Sequence, residues 1–76
     1  MRITFLYHKT QQADINYSKG HRCFIKGQYK QAIVFYKKTI TIEPDYLEAL
    51  TELAYSCQFT GENEEALECF QNVLSL

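Results

Sequence analysis

Seventy-six residues make one small domain, and a single core of that size supplies about 3–5 kcal/mol net. An apolar content of 46%, with three glycines and one proline, excludes a disordered chain and points to packed helices. The formal net charge of −1 conceals opposed halves: residues 1–44 carry all eight bases against Asp14 and Glu43, and residues 45–76 carry seven carboxylates and no base.

No apolar run reaches the roughly 20 residues of a membrane-spanning helix. Five residues precede the first histidine after Arg2, too few for a secretory apolar region of about 7–15. Cytoplasmic residence is therefore expected. Three cysteines, at 23, 57 and 69, with no C-x-x-C pair and only His8 and His21 beside them, offer neither a disulfide framework nor a zinc ligand set. Neither metal nor cofactor is expected, and Cys23 and Cys57 read as small buried apolar groups.

Residues 1–12 form an N-terminal segment, either extended or a remnant helix, because Ile3 to Tyr7 is short, apolar and partly β-branched. A first helix starts near Asp14, runs to Ile25 or Lys26 and stops at Gly27, where glycine supplies a positive φ. A second runs from Gln28 or Tyr29 to Ile42 and ends before Pro44. Asp45, with Glu48 three residues on, then reads as the capping box of a third helix reaching Thr60. Gly61 ends that helix, and Asn63 caps a fourth that continues to the end of the chain. Leu50, Leu53, Ala54 and Cys57 draw one apolar stripe; Ala66, Leu67, Phe70, Val73 and Leu74 draw another.

The chain also repeats itself. A shift of 34 residues pairs Cys23 with Cys57, Gly27 with Gly61, Ala32 with Ala66, Ile33 with Leu67, Tyr36 with Phe70 and Ile40 with Leu74. A period of about 34 is that of a helix–turn–helix unit that buries its apolar faces only by stacking. The pattern Gly20…Gly27-x-Tyr29-x-x-Ala32-Ile33…Tyr36…Ile40…Pro44, and its second copy Leu50…Leu53-Ala54…Gly61…Ala66-Leu67…Phe70…Val73-Leu74, resembles the tetratricopeptide repeat.

The resemblance implies an all-α fold, two helical hairpins stacked as a short right-handed α-solenoid. Residues 13–46 form the first unit and residues 47–76 the second, without a capping helix. It also implies that Gly20, Ala32, Ala54 and Ala66 sit where paired helices approach most closely. Asn16 and Lys19 depart from the pattern, standing where the second copy has Leu50 and Leu53.

By the same resemblance, the first helix of each pair lines a concave surface that holds a partner's peptide or helix. The lining would be Asp14, Tyr17, His21 and Phe24 from the first unit, and Glu48, Thr51, Glu52, Tyr55 and Gln58 from the second. One subclass clamps the terminal carboxylate of chaperone tails with lysine and asparagine. Tyr17, His21 and Glu52 occupy those positions here and supply neither ammonium nor amide, so a ligand with basic or amide groups suits the groove better. Phe70, Val73 and Leu74 would form a self-association face, giving a homodimer, in one form with exchanged helices. The charge asymmetry would steer a basic end of one molecule toward an acidic end of another.

Catalysis has no residues to stand on: no nucleophile elbow, phosphate loop or metalloprotease motif occurs, and His21 and Cys23 are two apart on a helix and do not face each other. The expected function is thus non-enzymatic, a protein–protein interaction module. Its competitor is a chaperone-type or assembly adaptor whose terminal helix docks on a larger protein. RNA binding through the basic half is less favoured, because the acidic half would repel the same ligand.

Overall fold

The computed structural model describes the backbone of residues 2–75 and the side chains of residues 11–75. Helices α1 (Arg2–Ile25), α2 (Tyr29–Ile42), α3 (Leu47–Phe59) and α4 (Asn63–Ser75) follow one another along the chain. Among the described residues there is no strand. Each helix packs on the next, and α1 also touches α3, so two hairpins stack side by side. The architecture is all-α, as the repeat implies. Residues 2–12 are helical and continuous with α1, which therefore begins well before the Asp14 region where the sequence placed its start. The side chains of Ile3 to Tyr7 lie outside the described residues.

Both hairpins close by the same device. Gly27 has φ 76° and Gly61 has φ 84°. In the first turn, the Gln28 amide donates to the Cys23 carbonyl at 2.9 Å and the Gly27 amide to Phe24 at 3.0 Å. In the second, Glu62 donates to Cys57 at 2.8 Å and Gly61 to Gln58 at 3.2 Å. This paired bonding satisfies the last carbonyls of a helix and requires a left-handed residue between them. A Cβ added at either glycine would meet nothing within 4 Å, so an alanine there suffers backbone strain alone. Gly27→Ala and Gly61→Ala are each expected to cost about 1–2 kcal/mol and lower the melting temperature by roughly 4–8 °C per kcal/mol, read by circular dichroism. An unchanged melt would contradict the assigned turn.

Two helix starts differ from expectation. Asp45 does not cap α3: it lies in the turn after Pro44, and Tyr46 is the capping residue, without a side-chain cap bond. The Tyr46 ring packs against the core and its hydroxyl reaches Asp14 at 2.5 Å, so tertiary contacts outweigh the local carboxylate–amide pair. Asn63 is the first residue inside α4 rather than its cap, and Ala66 donates to the Glu62 carbonyl at 3.0 Å. The same register holds in α2, where Ala32 donates to Gln28 at 3.0 Å.

The core runs between the hairpins: Ala32, Ile33 and Tyr36 of α2, Ala49, Leu53, Ala54 and Cys57 of α3, Ala66 and Cys69 of α4. Gly20 lets α1 close on α2, since a Cβ there would lie 2.7 Å from the Tyr36 ring and 3.2 Å from the Phe35 Cβ. The fully buried hydroxyls of Thr39 and Ser56 each bond their own helix one turn back: Thr39 donates to the Phe35 carbonyl at 3.0 Å and Ser56 to the Glu52 carbonyl at 2.7 Å. The Lys37 ammonium meets Glu65 at 2.8 Å and ties α2 to α4 across the units. Of the two departures, Asn16 spends its amide on the Gln12 carbonyl at 3.0 Å, and Lys19 holds its ammonium 6.0 Å over the Phe35 ring.

Cys57 and Cys69 are buried, and all three cysteines are free thiols. Burial, with Glu65 beside it, pushes the Cys57 thiol up to about 12, and burial raises Cys69 as well. Because the thiolate is the nucleophile, iodoacetamide at pH 8 is expected to leave Cys57 and Cys69 unmodified in the folded chain and to alkylate both in denaturant. Rapid native modification of either, read by mass spectrometry, would contradict their burial.

Candidate interaction surfaces

The spacing of Asp14, Tyr17 and His21 along α1 puts them on one face, and α3 brings Glu48 and Glu52 opposite. Glu52 is the centre of this face. Its Oε2 accepts from the Tyr17 hydroxyl at 2.6 Å, and its Oε1 accepts from the Tyr36 hydroxyl at 2.5 Å and lies 2.8 Å from Nδ1 of His21. Only 18% of the Glu52 side chain is exposed. Burial disfavours its charge, but the Tyr17, Tyr36 and His21 contacts more than offset that and hold the carboxyl below its ordinary value. The reciprocal effect raises the tyrosines: desolvation first, then the bond to Glu52, makes Tyr17 and Tyr36 weaker acids than a free phenol.

Rings extend the site along the groove. Tyr17 stacks between His21, at 5.7 Å between centroids, and Tyr46, at 5.3 Å. Asp14 is exposed and accepts from Tyr46, and Glu48 is exposed beside them. Thr51 is half-buried and donates to the Leu47 carbonyl at 2.9 Å, and Gln58 is exposed. Asp14, Tyr17, His21 and Glu52 thus form one bonded cluster, joined by Tyr36 and Tyr46, which sequence reasoning did not place there.

Phe24 and Tyr55 go elsewhere. Phe24 belongs to an adjoining aromatic knot with Tyr29 and Phe59, in which Tyr29 and Phe59 lie 4.7 Å apart, and it touches the Glu52 cluster only through the Tyr36 ring. Tyr55 meets Phe70 edge-on at 5.4 Å, on the α3–α4 side. A signal for the missed tyrosines did exist. A glutamate within a mostly apolar helix needs donors, and six tyrosines with no tryptophan were the available supply.

The second surface is the outer side of α4. Ile33 of α2 is 8% exposed, whereas its counterpart Leu67 is 59% exposed and Leu74 is 85% exposed. Phe70 and Val73 are half-buried, Phe70 resting on the core. Of the three residues expected as a self-association face, Leu74 is therefore the openly exposed one, and Leu67 joins it.

The tetratricopeptide repeat model matches residues 24–75. An uncharacterized protein of Cyanophora paradoxa is 36% identical over 66 residues, covering 87% of this chain and 38% of its own length. An uncharacterized protein of Methanocaldococcus jannaschii is 33% identical over 60 residues, covering 79% of this chain and 70% of its own length. The chain thus spans well under half of the first relative. No solved structure matches the chain.

Proposed function

The chain belongs to the tetratricopeptide repeat family, an interaction fold, and on that premise we propose that it is a non-enzymatic module binding a partner's peptide or helix in the α1–α3 groove. What carries this reading is the Tyr46–Tyr17–His21 stack, held rigid by Glu52 and flanked by the exposed carboxylates of Asp14 and Glu48. Rigid tyrosines give contact area at little entropic cost, and the carboxylates favour a ligand with basic or amide groups. Glu52, committed to internal donors, shapes the groove more than it meets the ligand.

Peptides of about twelve residues selected on the immobilised chain, then titrated against its amide NMR spectrum, test this. Perturbations are expected at Asp14, Tyr17, His21 and Glu48, with Tyr17→Ala weakening binding about tenfold or more. Perturbations confined to α2 and α4 would contradict it.

The same proposal includes self-association through α4, the smallest product being a homodimer, helix-swapped in one form. The exposed Leu67 and Leu74 support it. The competing adaptor reading uses the same residues, with a larger protein covering α4. RNA is disfavoured by the acid-rich groove. No helix among the described residues is long and apolar enough to cross a membrane. The free thiols suit a reducing cytoplasmic setting.

A further inference from the structure

The α4 face has a specific complement on the other end of the molecule. Leu50, Ala54 and Cys57 hold the helical phase of Asn16, Gly20 and Cys23, and Gly20 abuts Tyr36 of its own hairpin. The other buried stripe of α3, formed by Ala49, Leu53 and Ser56, at most 1% exposed, is the one turned toward α2. One period earlier, α1 presents Ile15, Lys19 and Arg22 in that phase, all exposed. Lys26 and Ile25, the latter 68% exposed, continue the same end of the helix.

The α2–α3 contact also fixes a direction. Tyr29 at the start of α2 meets Phe59 at the end of α3 at 4.7 Å. Moved by one period, the start of α4 at Asn63 meets the end of α1 at Ile25. Leu67 and Leu74 then take the places of Ile33 and Ile40. In this register Glu64 and Glu68, exposed one turn apart on α4, would border the same seam as Arg22, Lys26 and Lys19.

We infer that α4 of one copy seats on α1 of the next in the register that α2 keeps with α3, a head-to-tail contact between copies of this chain. The inference rests on the self-association reading and specifies its geometry. A two-fold contact of α4 with α4 brings Glu64 and Glu68 against their own copies on a helix that has no base; the head-to-tail contact brings them against three. Like charges across an interface select against the wrong pairing. A head-to-tail contact leaves one α1 and one α4 free, so dimers extend to longer species as concentration rises.

Two charge-reversed variants separate the possibilities by sedimentation. Arg22→Glu with Lys26→Glu, and Glu64→Lys with Glu68→Lys, are each expected to weaken association about tenfold or more at low salt. Their equimolar mixture is expected to recover it, because each altered face then meets an opposite charge. Circular dichroism of each variant establishes that it is folded. An Arg22→Glu, Lys26→Glu chain that associates like the native one would overturn the head-to-tail contact and leave α4 self-association standing. A native chain that stays at a single 8.9 kDa mass would overturn both.

Discussion

Tyr36→Ala is expected to remove about 3–5 kcal/mol, the range for truncating a buried aromatic ring, and so to abolish cooperative folding in a domain this small. The side chain is fully buried, fills the space opened by Gly20, and contacts the rings of Tyr17 and Phe24 at 6.0 and 6.4 Å. It also donates to Glu52, so the loss includes a hydrogen bond to a charged acceptor. Tyr36→Phe separates the two contributions: it keeps the ring and removes the bond, at an expected cost of about 1.5–3 kcal/mol. Urea melts of the two variants check this. A cooperative transition for Tyr36→Ala near the native midpoint would show that the seam between the hairpins lies elsewhere.

Glu52→Ala is the second large effect. It leaves the fully buried Tyr36 hydroxyl without its acceptor and frees Tyr17 and His21, an expected loss of about 1–3 kcal/mol for each buried group left unpaired. The pH dependence identifies the cause. The Glu52 carboxyl is held below its ordinary value of 4.5, so its contribution is complete above that pH and disappears as pH falls through the lower folded value. Native stability should therefore drop on the acid side of about pH 4.5, with a shallower slope in Glu52→Ala. Identical slopes in the two proteins would mean that the carboxylate is not bonded as observed.

The hairpins were legible in the sequence because their signals are local. Glycine at 27 and 61, proline at 44 and 3.6-residue stripes each fix backbone conformation within a few neighbours. Helix starts were less legible. At Asp45 and Asn63 the local capping preference competes with the packing of Tyr46 and with a register set by the hairpin turns. The groove was legible by position but not by bonding. Asp14, Tyr17, His21 and Glu52 come together, yet the donors that make Glu52 structural belong to Tyr17, 35 residues away, and Tyr36, 16 away, and no short-range pattern encodes such pairings. Phe24 and Tyr55 share the helix faces of the groove residues but found ring partners that only the tertiary arrangement supplies.

The exposure of Leu67 and Leu74 follows from repetition itself. The stripe that α3 covers on α2 recurs on α4, where no described element lies over it. Whether that stripe finds protein to cover it decides the proposed self-association. Sedimentation equilibrium of the native chain over a thousandfold dilution range measures this most directly. A mass that climbs above 8.9 kDa with concentration, and falls back to it in Leu67→Ser with Leu74→Ser, is the predicted result. A native mass fixed at 8.9 kDa across the whole range would contradict it.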